Sequence, residues 1–171
     1  TTTLVPGWEI WGTDGYHHDN YNHATGDGKG VKTWWDSAGM FQDFSAAAGT
    51  SYDFNAYALT PSSNRLAIWN GVYKVEWFDT TSKIGQAEIG RFNSATDAAD
   101  TWKLISKAET APTGAIKGRV VLGITGHNTG VFGELGWDDV SVNTTIPEPT
   151  SLLLLGSGLV GLLGLGKRTA K

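Results

Sequence analysis

Three of the four histidines of the chain lie in GTDGYHHDNYNHATGDGKG, residues 12–30: His17, His18 and His23, with Asp19 among them. Imidazoles and carboxylates at this density suit a transition metal. His17 and His18 are adjacent, however, and face opposite sides of an extended chain, so only one of them can join His23 at a site. The competing reading is an exposed recognition or docking loop, the role that long polar loops commonly carry. Tryptophans form a second set. Trp8, Trp11, Trp34, Trp35 and Tyr73 offer flat rings as a platform for a sugar or as anchors for another protein, and against this stands core packing for most of them. Trp34 and Trp35, side by side on a strand, face opposite ways. The candidate binding or docking residues are therefore His17, His18, Asp19, His23, Trp11 and Trp34.

Catalysis finds little footing. Glu76, Glu88, Glu134 and Asp138 are present, but no spacing selects a catalytic pair, and no GxSxG, HExxH or phosphate-loop motif occurs. The chain has no cysteine, which removes thiol nucleophiles, disulfides and thiolate metal sites. With a net charge of −4 and basic residues clustered only at the C-terminus, nucleic acid is not an expected partner. A non-enzymatic protein is expected.

The elements that must position these side chains read as strands. Gly 23 and Trp 8 with only 18% charged residues is the composition of an all-β domain with many tight turns. YDFNAYALT (52–60), YKVEWFD (73–79), TWKLISKAET (101–110), IKGRVVLGIT (116–125) and WDDVSVN (137–143) are alternating or β-branched runs bounded by Gly, Pro, Asn or Asp. Asn70-Gly71, between LAIW and VYKVEWF, predicts a type I′ hairpin. NSATDAADTW is a short excursion between strands, and TAPTG (110–114) a turn entered through Pro112. Residues 1–143 make one antiparallel β-sandwich domain of ordinary size.

The chain closes with IPEPTSLLLLGSGLVGLLGLGKRTAK, residues 146–171. No charge falls between Ser151 and Gly166, and Lys167, Arg168 and Lys171 follow. A bilayer core wants roughly 20 apolar residues, so Pro147 to Thr150 contribute or the bilayer thins. The expected organisation is a linker over 144–150, a transmembrane helix over 151–166 and a basic cytoplasmic tail over 167–171, with the bulk of the chain on the outer face of the membrane. A buried core helix is the alternative. Ser157, Gly161 and Gly164 share one helix face and would let a helix of another integral-membrane subunit approach closely; equally, such glycines serve recognition by a processing enzyme.

Pro147-Glu148-Pro149, the Leu/Gly run and the basic end together resemble the PEP-CTERM sorting tail of exported bacterial proteins. The resemblance implies a signal peptide, delivery to the cell envelope and, in some relatives, cutting near Pro-Glu-Pro by an exosortase-type enzyme. Thr1 in place of an initiator Met fits a removed signal peptide.

GTSYDFNAYAL, YKVEWFDTTSKIG, TWKLISKAETAPTGAIKGRVVL and GELGWDDVSVN resemble, in order and spacing, carbohydrate-binding-module-like domains with a galactose-binding jelly roll. What that implies is a two-sheet antiparallel jelly roll, and a fold is not a function. Relatives often share a structural Ca²⁺ between an opening acidic residue and an Asp of the closing DDV. Asp138 and Asp139 stand at that position, with only Glu9 to serve as the opening acid, and the alternative is that an Asp caps a turn. Two functions follow: an accessory or structural subunit docked on a larger membrane assembly, or a surface or matrix protein that binds polysaccharide.

Overall fold

The computed structural model describes residues 6–12, 16–19, 23, 30–34, 38–66, 70–125 and 133–145. Within them run β1 (Glu9–Trp11), β2 (Tyr16–Asp19), β3 (Gly30–Trp34), β4 (Ala38–Ser45), β5 (Ser51–Leu59), β6 (Asn70–Phe78), β7 (Lys83–Asn93), β8 (Lys103–Thr110), β9 (Lys117–Thr125) and β10 (Glu134–Thr144). They pair into two five-stranded sheets, β1-β4-β9-β6-β7 and β2-β3-β10-β5-β8. Among the described residues all eight strand pairings of these sheets are antiparallel, as in β4 with β9 and β5 with β8. The five runs expected from the sequence lie in β5, β6, β8, β9 and β10.

Alternation explains which face each strand buries. Along β5, Tyr52, Phe54, Ala56 and Ala58 are buried while Ser51, Asp53, Asn55 and Tyr57 are not. Period-2 patterning of this kind assigns one face to the core. The two inner faces meet over Phe54, Tyr73, Trp77, Phe92, Leu122, Leu135 and Trp137, each 2% exposed or less. Phe54 is the hub of the aromatic part, with ring centroids of Phe44, Tyr73 and Trp77 at 6.0, 6.3 and 6.1 Å in edge-to-face geometry. Tyr73, expected among the available platforms, is instead fully buried, and burial raises its phenol pKa.

The hairpin expected at Asn70-Gly71 is not formed. Both residues belong to β6, where Gly71 pairs with Phe92 on one side and Ile124 on the other. Packing is the reason for the glycine: a Cβ there would stand 2.1 Å from Leu135 Cδ2 and 3.3 Å from Trp137 Cζ2. The turn that does follow β6 is at Asp79, whose carboxylate accepts from the backbone N–H groups of Thr81 and Ser82 at 2.7 Å each. NSATDAADTW does connect β7 to β8, and TAPTG lies in the turn from β8 to β9.

One side of the sandwich, where edge strands β7 and β8 meet, is closed by lysines. Lys103 Nζ donates to Arg91 O at 2.9 Å and Lys107 Nζ to Glu88 O at 3.1 Å. Lysines so placed satisfy edge carbonyls and keep the edge from recruiting another strand. Among the described residues no helix is long and apolar enough to cross a membrane, and the span expected over 151–166 lies outside them.

Candidate functional site

Along β9, even-numbered residues enter the core and Lys117, Arg119, Val121 and Gly123 point outward. Register then fixes their neighbours on the outer face of the first sheet. Asp43, Phe41 and Gly39 of β4 stand opposite Arg119, Val121 and Gly123, and Glu76, Lys74 and Val72 of β6 flank the other side. On β1, Trp11 is placed opposite Gly39 and Glu9 opposite Phe41.

Two glycines side by side are what allow Trp11 to lie where it does. A Cβ on Gly39 would fall 2.7 Å from Trp11 Nε1, and one on Gly123 would fall 2.4 Å from Trp11 Cζ2. The indole therefore rests directly on the backbones of β4 and β9, and its Nε1–H donates to Leu122 O at 3.2 Å. Trp11 remains half-buried, forming one wall of a cleft of about 300 Å³ whose lining continues through Phe41, Val72, Lys74, Glu76, Arg119, Val121 and Thr125. A tethered aromatic ring bordered by convergent polar groups is the usual make-up of a ligand site.

Charge in the cleft is held in ordered pairs. Asp43 accepts from Arg119 Nε at 2.6 Å, Arg119 Nη2 at 3.1 Å and Lys117 Nζ at 2.9 Å. The Arg119 guanidinium, with Lys117 beyond it, holds the Asp43 carboxyl below the usual carboxylate range. The same guanidinium covers Phe41, 3.9 Å from its ring centroid. For Glu76, partial burial pulls the pKa up, but Lys74 at 2.9 Å and Lys83 at 3.3 Å pull it further down, and the net shift is downward. Both carboxylates are thus kept ionised, and the cationic donors are oriented by them.

The second sheet gathers a different set. His23 stacks on Tyr57 at 3.4 Å between centroids, with Trp102 edge-on at 5.7 Å. Its backbone N–H donates to Asp138 Oδ2 at 2.7 Å, and its Nδ1 lies 2.8 Å from Asp139 Oδ2. A bulge in β10 makes this geometry: register shifts between Asp138 and Ser141, and Asp139 takes φ 49, a conformation Asp tolerates better than most residues. Asp138 and Asp139 are thereby brought to His23. Glu9 is not brought to them; it belongs to the other sheet, on the outward face beside Arg119, whose pKa is raised chiefly by the hydrogen bond to Asp43, with Glu9 adding a smaller contribution. Among the described residues no group of three His, Asp or Glu is arranged to hold a metal ion. His17 and His18 occupy β2 opposite Lys32 and Val31, Asp19 is opposite Gly30, and Trp34 of β3 is opposite Glu134. Pro147, Glu148, Pro149, Ser157, Gly161 and Gly164 lie outside the described residues. Sequence reasoning reached Trp11 and weighed Glu76 only as a carboxylate without a catalytic partner, but missed Phe41, Lys74 and Arg119, for which the only signal was the outward parity of three strands.

Residues 145–168 match the family model of the PEP-CTERM protein-sorting motif. No curated protein matches the sequence. Among solved structures, the chain is similar to the N-terminal CBM22-1-CBM22-2 tandem domain of Paenibacillus barcinonensis Xyn10C, at 16% identity and a TM-score of 0.64, covering 84% of this chain and 46% of that one. It is similar to a xylan-binding domain from CBM22 at 12% identity and a TM-score of 0.62, covering 84% and 92% respectively. It is also similar to the CBM22-1-GH10 modules of Clostridium thermocellum endo-1,4-β-D-xylanase 10B, complexed with xylohexaose, at 15% identity and a TM-score of 0.61. Of that last chain it spans only 27%, covering 83% of its own length. The chain thus carries a PEP-CTERM protein-sorting motif behind an antiparallel β-sandwich with the fold of carbohydrate-binding modules.

Proposed function

We propose that the domain binds a polysaccharide along the outward cleft of the first sheet, and that the sorting motif delivers it to the cell envelope as an exported, non-catalytic protein. The observation that carries this is the Trp11 platform, an indole laid on Gly39 and Gly123 and tethered to Leu122 O. A pyranose presents an apolar face of C–H groups and a rim of hydroxyls. The indole meets the first, and Lys74, Glu76 and Arg119 stand where they can meet the second. The xylan-binding domain and the xylohexaose complex among the similar structures make β-1,4-xylan the first glycan to try.

Binding rather than cleavage is supported by the two carboxylates at the cleft. Glycoside hydrolysis generally needs one carboxyl group with a raised pKa to protonate the leaving oxygen. Asp43 and Glu76 are both shifted down by the cations that hold them. The other reading, an accessory subunit docked through Ser157, Gly161 and Gly164, draws no support from the described residues.

Affinity electrophoresis of residues 1–145 through gels containing soluble xylan, β-glucan, galactan or an envelope exopolysaccharide tests the proposal. Retardation by at least one of them is expected, without any release of reducing ends. Unretarded migration on every glycan, or release of reducing ends, counts against it.

A further inference from the structure

The loops at the two ends of the sandwich differ in character. At one end the connections after β5 and β7 are polar: Arg65 donates to Ser94 O, Ser62 N–H donates to Asp100, and Asn64 donates to Glu134. At the other end the connections after β4, β6 and β8 are knitted together through their backbones. Ala46 N–H donates to Ile116 O at 3.0 Å, Gly49 N–H to Ala111 O at 2.9 Å, and Ile116 N–H to Phe78 O at 2.9 Å. This end presents AAAGT (46–50) and APTGAI (111–116) beside the polar turn at Asp79, and two of the four exposed large hydrophobic residues among the described residues belong to it, Ile84 at 36% and Ile116 at 51%. Ile84 Cδ1 comes within 3.9 Å of where a Cβ on Gly114 would stand, so the start of β7 and the connection from β8 to β9 form one surface. Lys83 and Lys117 adjoin the two isoleucines in sequence.

The chain leaves the sandwich from this same end, where Thr145 N–H donates to Ser51 O at 2.9 Å beside the start of β5. Six residues later begins the uncharged stretch 151–166. Six extended residues reach at most about 20 Å. Whatever bilayer receives that stretch therefore lies within one short linker of Ile84 and Ile116.

We propose that this end of the sandwich rests on the lipid bilayer, Ile84 and Ile116 entering the headgroup region, so that the domain stands upright on its tail. The inference depends on the sorting segment being membrane-inserted. Exposed apolar side chains are what a membrane-contacting surface requires, the neighbouring Lys83 and Lys117 being held by Glu76 and Asp43, and the orientation leaves the cleft residues of β9, from Arg119 to Thr125, running away from the membrane.

Because the chain has no cysteine, single substitutions give unique labels. The full chain carrying Ile84→Cys or Ile116→Cys, and as comparators Ile10→Cys or Leu104→Cys on other exposed positions, would be labelled with an environment-sensitive fluorophore. Each would be reconstituted into phosphatidylcholine vesicles containing phosphatidylglycerol and a doxyl-lipid quencher. Labels at 84 and 116 are expected to shift to the blue and be quenched, while those at 10 and 104 stay water-like. Equal, water-like emission from all four in a chain that floats with the vesicles overturns the resting surface alone. A chain that fails to float overturns the membrane-inserted tail and the surface with it. Blue-shifted emission at 84 and 116 in native envelope vesicles, but not in pure lipid, assigns the surface to a protein partner and also overturns the proposal.

Discussion

Trp11→Ala loses at least about thirtyfold in affinity for the retarding glycan, because a stacked sugar covering about 80–100 Å² of indole at about 25 cal/mol per Å² contributes roughly 2 kcal/mol. The comparator Leu104→Ala, on the outward face of the other sheet opposite Tyr57, leaves affinity unchanged. Both variants keep the wild-type unfolding midpoint within a small shift, since neither position is in the buried core. Gly123→Ala is expected to act like Trp11→Ala by a different route. Its Cβ would sit 2.4 Å from the indole and 2.6 Å from Ala38 O, evicting the ring at some cost to the β4–β9 pairing as well. Retained affinity in Trp11→Ala would move the binding surface elsewhere on the domain.

The largest expected effect on stability is at Phe54. This side chain is wholly buried and meets Phe44, Tyr73 and Trp77 edge-on. Phe54→Ala costs about 3–5 kcal/mol, transfer and cavity contributions together, against a typical total of about 5–15 kcal/mol for a domain. Urea unfolding of residues 1–145 reads this as a lower midpoint at unchanged slope. A loss below about 1 kcal/mol, the range of a tolerated volume-conserving swap, would mean that Phe54 is not at the packing centre described.

How much of this was visible in the sequence can be argued strand by strand. β5 and β9 showed themselves because their alternation is local, Tyr-x-Phe-x-Ala and Val-x-Leu-x-Ile. β4 and β7 did not, because glycines interrupt them. Those glycines answer to residues far away in the chain: Gly39 admits Trp11, and a Cβ on Gly90 would stand 2.7 Å from Ile105 Cγ2 of β8. A strand glycine that makes room for a distant ring looks, locally, like a turn. Asn70-Gly71 failed for the same reason, its glycine serving Leu135 rather than a hairpin.

The binding face was legible only in part. Trp11 stood out as a residue type, but Arg119, Glu76 and Lys74 are ordinary charged residues until register sets them beside it. Likewise His23 and Asp138, 115 positions apart, belong together only because a bulge in β10 turns the aspartates toward Tyr57. Nothing local to either segment announces that meeting.

The central claim is that the outward cleft of the first sheet is the glycan site, and backbone and indole chemical-shift mapping tests it most directly. Titrating the ¹⁵N-labelled domain with the oligosaccharide of whichever polysaccharide retards it should move the Trp11 indole N–H and the amides of Phe41, Lys74, Arg119 and Val121 together, with a single saturation curve. Shifts confined to Tyr57, Trp102 and Asp138 on the other sheet, with the Trp11 indole unmoved at saturation, would contradict the account.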